Sequence, residues 1–211
     1  MELPYSQQGI VLASDDFKEK DRILTIYTKE FGKIRAISRG SRKIDSKLAP
    51  HLEVLSYSNL MLFSGKSLIT ITGAFEIKNF RNLKNSAEKL SAALYLAELL
   101  NRATFENLPD EEIFNLLLDL LKYLDKDIHE SAEKLKPAEV ILIFKFKLLN
   151  FLGLLPEAEK GEYDLVFKFA RADFAESENL NLSTAEKEKL DKGLNYSFAD
   201  ILSKNLNKFN Q

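Results

Sequence analysis

The chain has 211 residues, 45% of them hydrophobic and 29% charged, which is enough apolar material for a buried core in an ordinary soluble composition. It contains no cysteine, so disulfides, thiol nucleophiles and thiolate zinc sites are excluded. The formal net charge of −2 excludes a nucleic-acid binder that uses its whole surface.

That average hides a split. Residues 1–80 carry 12 Lys and Arg against 9 Asp and Glu, whereas residues 81–211 carry 18 against 23. A mildly basic front and an acidic back suggest different partners for each. Met1-Glu2-Leu3-Pro4-Tyr5 lacks the basic and apolar blocks of a secretory signal, and no apolar run is long enough to span a bilayer. A cytoplasmic address is expected.

The front reads as β-structure. Short apolar runs occur at Gly9–Ala13, Ile23–Thr28 and Gly32–Arg39, followed by a longer one at Glu53–Phe63 that Ser64-Gly65-Lys66 ends as a hairpin turn. Leu68–Thr72 alternates well, and Gly73 suggests a bulge before Phe75 and Ile77 resume the pattern. Five strands in about eighty residues, with no helical pattern between them, suit a small closed barrel of the OB type.

The back reads as helix. Ser86–Arg102 is apolar enough, through Leu90, Ala93, Leu94, Ala97 and Leu100, to be largely buried. Pro109 marks a break. Ile113, Leu116, Leu117, Leu120, Leu121 and Leu124 then form one helical stripe. Pro137 opens a third helix that Gly153 and Pro156 close, and its apolar positions wrap most of the way round, as in the central helix of a bundle. Asp164–Ala170 suits a short strand or an irregular turn. Ser183-Thr184-Ala185-Glu186 is a capping box opening a short helix that Gly193 ends, and Ser197–Asp200 opens another reaching to about Phe209. The fold class expected is therefore α+β: a barrel domain over 1–80 and a helical domain over 81–211, irregular around 157–182. The helices of 86–152 are apolar around more of their circumference than three need, so an exposed groove for a partner segment is expected there.

Catalytic chemistry is sparse. His51 and His129 lie in different modules and are expected to be structural or solvated. Without cysteine, and with so little histidine, neither a Ser/His/Asp triad nor a zinc site of the usual ligands is expected. Asp15, Asp16, Glu19 and Asp21 lack the glycine and closing glutamate of a calcium loop and read as a solvated turn. Gly40-Ser41 is not followed by the lysine and helix of a phosphate loop. No catalytic residue, metal or cofactor is expected.

The sharpest feature is charge. Lys33, Arg35, Arg39, Arg42, Lys43 and Lys47 crowd into fifteen positions with only Asp45 opposing them. Alternation puts Ile34 and Ala36 on the core side of a strand, and Lys33, Arg35 and Arg39 with Ile37 on the other. A basic strand face continued by a basic loop makes a cradle for phosphates. The same pattern equally describes a solvated edge charged against aggregation. Among the rings of the front, Tyr27 and Tyr57 are the better candidates to stack on bases, because their hydroxyls tolerate a wet site.

Gly9-Ile10-Val11-Leu12, Glu19-x-Asp21-Arg22-Ile23-Leu24-Thr25, Thr28-x-x-x-Gly32-Lys33 and Arg39-Gly40-Ser41-Arg42-Lys43-x-x-Ser46-x-Leu48 together resemble the RecO family of recombination mediators. The leucine-rich helices and Phe151-Leu152-Gly153-Leu154-Leu155-Pro156 extend the likeness to about residue 155. The resemblance implies an OB domain joined to a helical domain. It also implies binding of single- and double-stranded DNA, strand annealing and, with RecR, loading of RecA onto strands covered by single-stranded-DNA-binding protein. Carried over by position, Lys33, Arg39, Arg42 and Lys43 would touch phosphates, with Arg35 and Lys47 joining them on charge and facing. Many family members carry a four-cysteine zinc site beyond the third helix, and here Glu157–Glu178 contains no cysteine. The alternative is a non-catalytic adaptor whose barrel docks a protein partner without touching DNA.

Overall fold

Alternating apolar positions build five strands, β1 (Tyr5–Phe17), β2 (Asp21–Thr28), β3 (Gly32–Ser38), β4 (Tyr57–Ser64) and β5 (Ile69–Lys78). The computed structural model describes residues 4–65, 68–126, 136–155, 174, 177 and 183–209, with the last helix's side chains described as far as 203. The strands close into a barrel in the order β1-β2-β3-β5-β4. Long β1 serves two neighbours: Tyr5–Ile10 pairs with β4, and Gly9–Phe17 pairs with β2 across a bulge between Val11 and Ala13. Parallel pairing of Ala36, Ile37 and Ser38 with Ile69, Thr70 and Ile71 closes the ring. This is the expected OB-type barrel. Its interior holds Val11, Leu24, Ile26, Ile34, Ala36, Leu60, Leu62, Ile71 and Ala74.

Two details differ from the sequence reading. The run expected as a strand from Glu53 begins pairing only at Tyr57. Before it, Leu55 adopts φ +67° and its N–H bonds the Val11 carbonyl at 2.8 Å, so this stretch plugs the barrel as a turn. The bulge near Gly73 falls one residue earlier: Met61 faces Gly73 and Leu62 faces Ile71, leaving Thr72 as the extra residue. The hairpin expected at Ser64-Gly65-Lys66 lies partly outside the described residues.

The helices are α1 (Arg81–Lys84), α2 (Ala87–Ala103), α3 (Glu111–Leu124), α4 (Pro137–Phe151) and α5 (Thr184–Phe209). The chain divides into two compact units. The first is Met1–Arg81 with Thr104–Leu118, and the second is Asn82–Ala103 with Asp119–Gln211. In the second unit α4 is buried on all sides, from Val140 and Phe144 to Leu142 and Phe146, as the centre of a bundle must be, and packs on α2 and α5. Gly153 at φ +68° ends it, a conformation glycine adopts without strain. Every residue of the expected α3 stripe is buried. On α2, by contrast, Leu94 and Tyr95 are exposed. The capping box forms as read: the Ser183 N–H donates to Glu186 at 2.8 Å and the Glu186 N–H to Ser183 Oγ at 3.3 Å. Gly193, however, does not end the helix. Leu194, Phe198 and Ile201 share one buried face, and their packing carries α5 through the glycine as a single rod. Phe174 is buried and stacks on Tyr123 with ring centroids 5.7 Å apart, while Asp164–Ala170 and His129 lie outside the described residues.

Candidate nucleic-acid interface

Strand alternation places the six basic residues as expected on the outer side of β3 and in the loop after it, but their surroundings separate them. Lys33 is only 6% exposed. Its ammonium donates to the Thr104 carbonyl at 2.6 Å, and its own carbonyl accepts from the Asn107 N–H at 2.8 Å. The expectation that Lys33 lies on an open strip is therefore corrected. Residues 104–118 of the same unit lie over this part of the barrel and enclose it. Gly32 explains how they come so close. At φ +65° it carries no side chain, and a Cβ there would sit 2.3 Å from the Leu108 carbonyl oxygen.

The same segment bears on both expected stacking rings. Tyr27 is buried, and burial together with the nearby Asp110 carboxylate pushes its hydroxyl pKa well above the usual range. Tyr57 is half-buried, its ring edge against Phe114 at 6.2 Å and its hydroxyl donating to Gln8 at 2.6 Å; burial raises its pKa against the opposing pull of Lys29. Tyr27 therefore offers no face for stacking, whereas Tyr57 is half-buried and keeps a Phe114 ring edge-on beside it.

Arg35, Arg39, Arg42, Lys43 and Lys47 are exposed. Arg35 lies within β3, and Arg39 follows directly after its last residue, Ser38. The loop that carries the others is tied down. The Gly40 N–H donates to Asp21 at 2.8 Å, Ser41 Oγ to the Ser38 carbonyl at 2.9 Å, and the Arg42 N–H to the Lys20 carbonyl at 3.1 Å. The Arg42 guanidinium also bonds the Lys18 carbonyl at 3.0 Å and Asp16 at 3.1 Å. The acidic turn is thus not merely solvated: Asp16 partly neutralises the strip through Arg42, and Arg22 lies 3.8 Å from it. Arg35, Arg39, Lys43 and Lys47 have no ion-pair partner among the described residues. Chemically, the surface is a set of exposed cations on an ordered backbone that can take phosphate oxygens without choosing a sequence.

Sequence reasoning missed the covering segment Thr104–Asp110. Its only signal was a break in helical periodicity that still carried Phe105 and Leu108. Among the described residues no group of three acidic or histidine side chains is placed to hold a metal, and no helix is long and apolar enough to cross a membrane.

The helical unit contains a cleft of about 780 Å³ between α2, α4 and α5, walled by Tyr95, Ile141 and Leu142. Its ionisable rim is Glu88, Glu139, Glu188 and Asp191 against Lys145 and Lys187. Both lysines are already paired, Lys145 with Asp191 at 3.1 Å and Lys187 with Glu139 at 2.5 Å.

Comparison with known proteins gives a consistent result. The family model described as recombination protein O N terminal matches residues 1–80, and the one described as recombination protein O C terminal matches residues 84–162. Proteins named DNA repair protein RecO are similar over most of the chain. The one from Alkaliphilus metalliredigens is 35% identical over 149 residues, covering 71% of this chain and 58% of its own. That from Acetivibrio thermocellus is 32% identical over 148 residues, 70% and 57%. That from Listeria welshimeri is 32% identical over 153 residues, 72% and 57%. The matched stretch therefore spans little more than half the length of these relatives.

Proposed function

The chain belongs to the RecO family, and we propose on that premise that it is a non-catalytic, cytoplasmic mediator of recombinational DNA repair. It binds the backbone of single- and double-stranded DNA through Arg35, Arg39, Arg42, Lys43 and Lys47, and it promotes strand annealing. With RecR it helps load RecA onto strands that single-stranded-DNA-binding protein has covered. Lys33 is left out of the binding set because its ammonium is committed inside the fold.

One observation carries the reading: a hydrogen-bonded loop holds Lys43 and Lys47 exposed beside Arg39, without ion-pair partners among the described residues. A loop whose backbone is already ordered loses little further freedom on meeting a polyanion, and the counterions its lysines displace drive association. A salt titration of binding to a labelled single-stranded oligonucleotide tests it. With four or five phosphates neutralised, log K falls against log salt with a slope of about −3. Binding that is absent or indifferent to salt overturns the proposal. That result would leave the adaptor reading, for which exposed Phe75 and Ile77 on β5 provide an apolar surface.

A further inference from the structure

The loop after β3 carries a residue that its charge does not account for. Two consecutive turns build its outer end: the Lys43 N–H donates to the Gly40 carbonyl, and the Ser46 N–H to the Lys43 carbonyl, each at 3.1 Å. Ile44 and Asp45 are the two central residues of the second turn. Such positions suit glycine, proline, asparagine, aspartate or serine, whose conformations or side chains make the turn. Isoleucine contributes nothing of that kind. Nor does it contribute to a core, because Ile44 is 109% exposed, as open as an extended peptide. The other exposed hydrophobics of the barrel are less open, and Phe31 already packs edge-on against Tyr5 at 5.5 Å.

We propose that Ile44 is a wedge that inserts between neighbouring bases of DNA whose backbone is held by Arg39, Lys43 and Lys47. The inference rests on the DNA-binding reading and adds a base-directed contact to it. Cations on either side of the tip draw in a polyanion, and the apolar surfaces a nucleic acid offers are the faces of its bases. A branched aliphatic side chain entering between them replaces part of the stacking it disrupts. The loop's own hydrogen bonds hold the tip out in advance, so little ordering remains at the moment of contact. Asp45, the one acid in the loop, is adjacent and turns the tip away from the phosphates themselves. A protein that parts stacked bases while gripping the backbone without sequence choice is suited to exchanging one paired strand for another.

The test uses the full chain with single- and double-stranded oligonucleotides carrying 2-aminopurine, whose fluorescence rises when it is unstacked. The wild-type protein is expected to raise the signal severalfold on binding. Ile44→Ser is expected to abolish the rise and weaken binding about tenfold while leaving the salt slope unchanged. Ile44→Phe is expected to restore the rise. Because the side chain is fully exposed, both variants should melt with the wild type. Equal fluorescence and affinity in wild type and Ile44→Ser overturn the wedge alone. A wild-type protein that does not bind DNA overturns the reading beneath it. Binding to phosphatidylglycerol vesicles that requires Ile44, with no effect of Ile44 on DNA, also overturns the wedge and assigns the tip to a membrane surface.

Discussion

Lys33 and Thr104 stand 71 residues apart in the chain, yet the lysine ammonium and the threonine carbonyl oxygen are 2.6 Å apart. The pair ties β3 to the start of the segment that covers it. A basic residue that the sequence offers to DNA is thereby used to hold the protein's own backbone.

Replacing Lys33 with methionine removes that charge-assisted hydrogen bond and keeps the length of the side chain. Stability is expected to fall by about 1.5–3 kcal/mol, read from the denaturant midpoint. The salt dependence of DNA binding is expected to stay as it was. A shallower slope at unchanged stability would return Lys33 to the binding surface.

Gly32→Ala meets two obstacles, the left-handed backbone at φ +65° and the Leu108 carbonyl oxygen 2.3 Å from the new Cβ. A loss of about 2–4 kcal/mol is expected. Hydrogen exchange should show the amide of Asn107, which bonds the Lys33 carbonyl at 2.8 Å, losing protection together with the amides of β3.

Asp16 restrains Arg42 at 3.1 Å. Asp16→Asn frees the guanidinium for phosphate, so binding at low salt should tighten and the slope on single strands should steepen by about 0.7. The same change in an Arg42→Ala background should alter the slope much less. Equal effects in both backgrounds would show that Asp16 acts by general repulsion, not by holding Arg42.

Acid should loosen the helical unit. Burial works to raise the Glu139 carboxyl, but bonds from the Lys187 ammonium and the Lys136 N–H outweigh it and bring the pKa below its ordinary 4.5. Glu186 is likewise lowered by the Ser183 hydroxyl and N–H. A depressed folded-state value means stability that is present above pH 4.5 and is lost as pH falls through the folded value. In Glu139→Gln the acid limb of a thermal-midpoint profile is expected to be shallower than in the wild type, from a lower starting point at neutral pH.

The barrel was legible because its inward residues, such as Leu24 and Ile26 or Ile34 and Ala36, recur two apart in short apolar runs, even though most residues between them are covered too. The α3 stripe and the all-round burial of α4 were legible for the matching helical reason. The polar ends of β1, from Tyr5 to Gln8 and from Ser14 to Phe17, carry no such pattern; ladder hydrogen bonds to β4 and β2 hold them, and of these residues only Gln7 is buried. At Gly193 a local terminator lost to the packing of Leu194 and Phe198. In the candidate interface, alternation assigned Lys33 to the correct side of β3, but accessibility depended on a segment some seventy residues away. Nothing local to Lys33 or Tyr27 announces that cover.

The division of the chain has a consequence for synthesis. All five strands are complete by Lys78, but Thr104–Leu118, which covers Gly32 and Lys33, is made only after α2, a helix of the other unit. At roughly 5–20 residues per second, the barrel waits on the order of 2–8 seconds on the ribosome with this side bare. During that interval the Lys33 ammonium and the Tyr27 ring face the solvent beside Arg35, so the nascent barrel presents a broader cationic face than the finished one. Completion of the chain narrows it to Arg35 and the loop.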